Sequence, residues 1–381
     1  MLFVRILAPA LKPALAGGTL LVAAAGGWLT IDRYLGDSLT PFQTAARADG
    51  ERLLIAEFGE TADTVVAVNP TDPDDREEIA RIRHAPGYGA FATLSPDGSA
   101  IAYTALPEDE PEPHAAAPAI AGVIYQDGTT AVLANDVDLL VPPVWRPDGA
   151  AIVVRKNIPL EGSAGAFSLL LLGTDGARAV LAERTGSALF PIAFSPDGST
   201  FYFATLDPNG SDLWRTGSNG SGETLIAHMS DEIARDWKLS PDGRTIAYTV
   251  AESGPHPRIV TMTVNLDTGA ATEVVRGPEQ RIEFNPVWDT AGQLTIASVD
   301  DSGQGGAAIR VNGAGGADAI SDTSDSLDLP LAWSPDGTTL AVRSIEGPAA
   351  DGPSYVEVLR TDGGRERLSD QADVLIVGWL E

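Results

Sequence analysis

Four histidines, His84, His114, His228 and His256, are the side chains best suited to ligate a transition metal or to move protons near neutral pH. They are scattered along the chain, and none has a ligand partner at helical or hairpin spacing. Cysteine is absent, which excludes disulfides, thiol nucleophiles, thiolate metal sites and a lipid-modified cysteine anchor. Carboxylates are plentiful but poorly grouped. Asp207-Pro208-Asn209-Gly210-Ser211-Asp212 begins like a calcium loop yet lacks the glycine at its sixth position and the terminal glutamate, so it reads as a hairpin turn. Asp322, Asp325 and Asp328 could gather around a divalent cation. Gly36-Asp37-Ser38-Leu39 spells a lipase nucleophile motif, but no strand precedes it and no matching histidine block follows, so it reads as coincidence. The expectation is a chain with no resident metal or cofactor and no assignable catalytic residue.

The elements that position these groups come from a recurring phrase. It stands as Leu94-Ser95-Pro96-Asp97-Gly98, Trp145-Arg146-Pro147-Asp148-Gly149, Phe194-Ser195-Pro196-Asp197-Gly198, Leu239-Ser240-Pro241-Asp242-Gly243 and Trp333-Ser334-Pro335-Asp336-Gly337. A degenerate copy occurs at Trp288-Asp289-Thr290-Ala291-Gly292, and Trp379 supplies a further mark. The marks fall 45 to 51 residues apart, a period that signals stacked supersecondary units. Proline presets φ for the first central position of a type I turn, Asp suits the second, and Gly takes the positive φ that closes a bulged hairpin. After each turn comes an apolar run such as Ile101-Ala102-Tyr103-Thr104 or Phe201-Tyr202-Phe203-Ala204, a strand buried on both faces. A second turn follows, as at Asp127-Gly128, Asp175-Gly176 and Asp362-Gly363. Each unit therefore holds about four strands, the blade of a propeller.

The first unit lacks an innermost strand, and Val374-Leu375-Ile376-Val377-Gly378-Trp379 is an innermost strand with no blade to follow it. Pairing the two fragments would remove exposed sheet edges. The expected fold is all-β, a seven-bladed β-propeller over residues 51–381, closed by its N- and C-terminal strands. The repeated Trp/Phe-Ser-Pro-Asp-Gly phrase with its Ile-Ala-Tyr-like strand resembles the WD40-like, TolB-type propeller repeat. That resemblance implies the propeller fold and leaves function open, since similar repeats occur in translocation proteins, peptidase-associated propellers and other exported proteins. The sequence departs from TolB in lacking its N-terminal α/β domain and in having seven marks, and it shows no C-terminal hydrolase domain.

Ahead of the repeats, residues 1–12 carry Arg5 and Lys12, and residues 13–31 run without charge. Such a span can cross a bilayer as a helix, with the basic tail in the cytoplasm and the rest outside. Ala23-Ala24-Ala25 also fits a signal-peptidase site, so a retained anchor and a cleaved signal followed by secretion are both open. Residues 32–50 read as a juxtamembrane linker. A formal charge of −28 excludes a nucleic-acid partner, which needs a basic footprint.

In such a ring the phrase turns and the Asp-Gly turns share one end. The other end holds longer loops at Leu106 to Ala117, Asn157 to Gly165, Ala251 to Pro257, Asp300 to Gly306 and Ile345 to Pro353, where binding residues are expected. Innermost strands are mostly apolar or proline-bearing, except Arg235-Asp236-Trp237-Lys238-Leu239. Phrase alignment places Asn285 at the level of Asp236, with Glu283 and Asp328 two residues earlier in their units. Arg235, Asp236, Lys238, Glu283, Asn285 and Asp328 are thus the candidate binding residues of a polar channel patch. Trp145, Trp288, Trp333 and Trp379 are expected to fill space between blades, and Trp214 to make an exposed contact. The functional expectation is a membrane-tethered, non-catalytic propeller binding a protein or an envelope component. The alternatives are a hydrolase or lyase acting on a small carbohydrate or lactone at the channel mouth, and an accessory subunit of a membrane complex.

Overall fold

The computed structural model describes residues 50–158, 165–252, 258–275, 282–299, 306–312, 316–321, 326–347, 352–372 and 374–380. The N-terminal apolar span, the Gly36–Leu39 motif, His256, Asp322 and Asp325 lie outside the described residues. Among the described residues no helix is long and apolar enough to cross a membrane.

The described chain is all strand and turn. It opens with β1 (Arg52–Glu57), β2 (Ala62–Asn69) and β3 (Asp72–Arg83). Three separate meanders follow: β4 (Phe91–Leu94) to β5 (Ala100–Ala105), β6 (Ala119–Tyr125) and β7 (Thr130–Val137); then β8 (Val144–Trp145), β9 (Ala151–Ile158), β10 (Ala166–Gly173) and β11 (Arg178–Thr185); then β12 (Ala188–Phe194), β13 (Thr200–Asp207), β14 (Gly210–Gly217) and β15 (Thr224–Ser230). Next come β16 (Ala234–Leu239), β17 (Thr245–Glu252), β18 (Arg258–Asn265) and β19 (Ala271–Glu273), and after them β20 (Ile282–Trp288), β21 (Leu294–Val299), β22 (Gly306–Val311) and β23 (Ala317–Ala319). The last are β24 (Ser326–Trp333), β25 (Thr339–Glu346), β26 (Ser354–Arg360), β27 (Arg365–Arg367) and β28 (Val374–Leu380).

Strands within each meander pair antiparallel. The meanders β16–β19, β20–β23 and β24–β27 touch edge to edge through single parallel bridges, Ile259 to Ile282 and Gly306 to Leu327. The C-terminal β28 pairs with β1, Leu53 opposite Trp379 and Ala56 opposite Leu375, giving the order β28-β1-β2-β3. Apolar layers lie between successive meanders. Val153 and Leu169 pack with Phe201 and Phe203, and Tyr202 and Leu213 with Tyr248 and Val260. Val356 and Val358 of β26 pack with Leu53, Ile55 and Val374, so the last meander shares its core with the first. A sheet buried on both faces explains why the second strands read as unbroken apolar runs. The architecture is that of a β-propeller.

The phrase builds one turn in each of four units. Ser240 Oγ donates to Asp242 Oδ1 at 2.6 Å and accepts the Thr245 N–H at 3.0 Å, while the Gly243 N–H returns to the Ser240 carbonyl at 2.9 Å. Ser95, Ser195 and Ser334 make the same bonds to Asp97, Asp197 and Asp336. Hydrogen bonds from the Ser195 hydroxyl, and from the Ser199 N–H and hydroxyl, hold the Asp197 carboxyl down at about 2. Gly243 has a φ of 70°, and a Cβ there would sit 2.5 Å from Pro196 Cδ of the preceding turn. Its lack of a side chain thus serves both the turn and the approach of neighbouring units. Where Ser is replaced, Arg146 Nε donates to Asp148 at 2.8 Å, and Asp289 itself accepts the Gln293 N–H at 2.7 Å.

Candidate functional site

The innermost strands β12, β16, β20, β24 and β28 each carry one extra residue relative to their partners. Register slips by one between Pro191 and Ala193, Arg235 and Lys238, Phe284 and Val287, Pro330 and Ala332, and, opposite Leu54 and Ile55, at Val377. Such a bulge bends the strand and re-aims its side chains. In β12 and β24 the residue three before the first residue of the phrase is Pro191 or Pro330, whereas in β16 and β20 it is Asp236 or Asn285. Asp236 has φ 58° and Asn285 φ 47°, the two non-glycine residues with positive φ among the described residues. Asp and Asn tolerate this conformation better than other side chains because a short polar group can bond locally.

The two bulges stand side by side. The Arg235 guanidinium lies 5.9 Å from the Phe284 ring centroid, and Trp288 Nε1 donates to the Lys238 carbonyl at 3.0 Å, so β16 and β20 are fastened at both ends of the bulge. Asp236 accepts the Thr249 hydroxyl at 2.9 Å and lies 3.5 Å from Arg235 Nε. Lys238 is exposed to solvent, while the protein around it desolvates the ammonium and pushes its pKa down, the Asp236 charge acting the other way. Beside it, Trp237 packs on Phe190, ring centroids 5.3 Å apart, and its buried Nε1 has no hydrogen-bond partner.

The structure brings Arg235, Asp236, Lys238 and Asn285 together and places the other two candidates elsewhere. Glu283 is 1% exposed and accepts the Thr261 N–H at 2.7 Å. Asp328 is fully buried and holds Arg365 through two bonds of 3.1 and 2.7 Å. Arg365 also donates to Glu357 at 2.5 Å, and Arg367 bonds Glu357 and Glu346 beside a cavity of about 530 Å³. That network fastens β24 to β25, β26 and β27.

Of the loop-rich end, the stretch Leu106 to Ala117 is fully described. Tyr88 OH donates to the Pro113 carbonyl at 2.8 Å, and Arg83 lies 3.6 Å from Glu108. Under this end lies a pair that sequence reasoning missed. His84 is fully buried, with Nδ1 2.9 Å from the Ala85 carbonyl and Nε2 3.0 Å from Asp63 Oδ1. Asp63 also accepts the Gly59 and Ala90 N–H groups, at 3.2 and 2.7 Å. Burial alone would lower the His84 pKa; the Asp63 bond, the Ala85 carbonyl and the Asp63 charge outweigh it and raise the value. Acceptors beside both ring nitrogens suit the doubly protonated ring, the form that the raised pKa favours. His228, exposed, is bracketed by Asp212 at 2.7 Å and Asp231 at 3.1 Å. Among the described residues no group of three His, Asp or Glu could hold a metal ion.

The aromatic marks act as staples. Trp145 Nε1 donates to the Thr93 carbonyl of the preceding unit at 3.0 Å, and Trp333 Nε1 to Thr295 Oγ1 at 3.1 Å. Trp214 departs from expectation. It stacks on Phe203, lies under Arg184 at 5.0 Å and donates to Thr205 Oγ1, so it packs between β10–β11 and β13 rather than offering an exposed contact.

No family model matches the chain. A Tol-Pal system protein TolB from Anaeromyxobacter dehalogenans is 29% identical over 111 residues, 29% of this chain and 24% of the relative. The chain thus aligns with about a quarter of the length of the curated relatives it matches. The β-propeller domain of the Trilobed protease from Pyrococcus furiosus superposes with a TM-score of 0.56 at 11% identity, over 84% of this chain and 94% of that one. It is described as having an open velcro topology, whereas here β28 pairs with β1. An oligogalacturonate lyase from Vibrio parahaemolyticus gives a TM-score of 0.55 at 15% identity, over 82% and 87% of the two chains. The structural likenesses speak for the fold alone. Together with the repeats they show a β-propeller fold, and over 111 residues the chain is similar to TolB proteins.

Proposed function

We propose that the chain is a seven-bladed propeller held outside the cytoplasm, which binds a protein or cell-envelope component through the bulged sector of its inner strands and the adjoining loop end, without catalysing a reaction. Six four-stranded meanders and the composite β28-β1-β2-β3 sheet supply the blades. In this reading residues 1–12 form a cytoplasmic tail, residues 13–31 tether the ring to the membrane or are removed on export, residues 32–50 are a linker and residues 51–381 are the propeller. Kinship of a 111-residue stretch with Tol-Pal system proteins supports an envelope setting.

One observation carries the proposal. Asp236 and Asn285 hold positive φ side by side, next to Lys238, in a ring whose repeated turns otherwise satisfy their own polar groups. Backbone conformations of this kind persist where surrounding structure imposes them, and they concentrate at ligand sites. The test is chemical cross-linking in native membranes, detergent extraction and identification of what is joined to the protein. One discrete partner should be captured by the wild type and lost in a folded double variant, Lys238→Met with Asn285→Gly. Recovery of an uncross-linked monomer, or of the same partner with the double variant, overturns the proposal.

A further inference from the structure

Among 381 residues the chain has three lysines, Lys12, Lys156 and Lys238, against 22 arginines. Lys156 is ion-paired with Asp136. Lys238 has no hydrogen-bond or ion-pair partner among the described residues, although Asp236 is close enough to act on it through its charge. Its ammonium is exposed and open to an anion from outside the chain. Asp236 does not occupy it: Asp236 Oδ2 accepts the Thr249 hydroxyl and lies 3.5 Å from Arg235 Nε. The Asn285 side chain on the neighbouring bulge likewise has no hydrogen-bond partner among the described residues.

We propose that this sector receives a carboxylate carried on an extended segment of a partner protein, with one carboxylate oxygen on the Lys238 ammonium and the Asn285 amide donating to the other. This rests on the binding reading above and adds the chemistry of the ligand. Two cations, Arg235 and Lys238, face one carboxylate, Asp236, which leaves a single net positive charge suited to a monoanion rather than a phosphate dianion. Arg235, laid over Phe284, contributes field while Lys238 supplies the contact. The chain as a whole, at −28, repels anions, so the sector selects against carboxylates that cannot reach it and binding weakens with salt. Nearby apolar surface from Trp237 and Phe190 would take the uncharged body of the segment.

The lysine count makes the test direct. Reductive methylation of the full chain with ¹³C-formaldehyde keeps each lysine charged and gives a separate NMR signal for each, with Lys238→Met assigning the one of interest. Acetate, an acetylated Ala-Glu-Ala-Glu-Ala amide and its glutamine counterpart are the probes. The Lys238 signal should titrate below the ordinary lysine value, and move to higher pKa with acetate and with the glutamate peptide but not with the glutamine peptide. Lys238→Met should weaken glutamate-peptide binding about tenfold or more. A Lys238 signal that neither carboxylate probe moves overturns the proposal. A response to acetate alone overturns its peptide part and points to a small carboxylate. Should a cross-linked partner be found while Lys238 stays silent, the ligand chemistry falls and the binding reading stands.

Discussion

The turn end of the ring and the inner strands β16 and β20 are made from the same repeat, and they treat their polar groups in opposite ways. At the turns, the Ser240 hydroxyl donates a hydrogen bond to Asp242 and accepts one from the Thr245 N–H, and Gly243 closes against the preceding unit. At the bulges, Lys238 has no partner, Trp237 Nε1 is buried without one, and Asp236 and Asn285 hold a backbone conformation that most side chains avoid. A repeat that satisfies itself has little left with which to bind. That difference is why we propose that binding sits where the repeat is interrupted, in side chains that the fold positions but does not use.

Four changes would sharpen or break this contrast. Gly243→Ala should cost most, about 3 kcal/mol, because it adds strain at φ 70° to a 2.5 Å approach to Pro196. Denaturant unfolding measures it, and a cost under about 1 kcal/mol would show that the turns are not the rigid half of the comparison. Next is the buried His84. Its raised folded pKa means that its stabilisation is fully present below the unfolded value near 6.5 and is lost as pH rises through the folded value. Losing one donor from the ring should cost about 1–2 kcal/mol over that window, and His84→Gln should flatten the dependence. A wild-type stability that climbs over the same range contradicts the protonated assignment. Ser240→Ala should lose about 1 kcal/mol, since it leaves Asp242 and the Thr245 N–H each short of a bond. Smallest, and of opposite sign, Asn285→Gly should raise stability by about 0.5–1 kcal/mol by relieving positive φ, while weakening partner binding. A variant that loses stability would mean that the bulge is structural.

Much of the ring was legible because the turn chemistry is local. Pro, Asp and Gly at fixed offsets specify the hairpin, and the solitary Val374–Trp379 run announced its pairing with the first strands. The bulges were also written in the chain, though less openly. Three residues before the first residue of the phrase stand Pro142, Pro191 and Pro330 in three units and Asp236 and Asn285 in two others, all poor strand formers. The pairings that moved Glu283 and Asp328 out of the patch were not legible. Asp328 meets Arg365, 37 residues further along, past two intervening strands, and Glu283 reaches the backbone of Thr261 in the preceding meander. His84 and Asp63, 21 residues apart, meet because β2 and β3 pair antiparallel with Ala62 opposite Arg83, so that His84 continues the ladder onto the Thr61 carbonyl, a register that no local signal encodes.

The most direct test of the contrast is calorimetric titration of the glutamate peptide into three proteins matched for fold: wild type, Ser240→Ala and Lys238→Met. The turn variant should be less stable and bind as the wild type does, and the sector variant should be equally stable and bind about tenfold or more weakly. If Ser240→Ala loses the peptide while Lys238→Met retains it, the repeat turns and not their interruption carry the function.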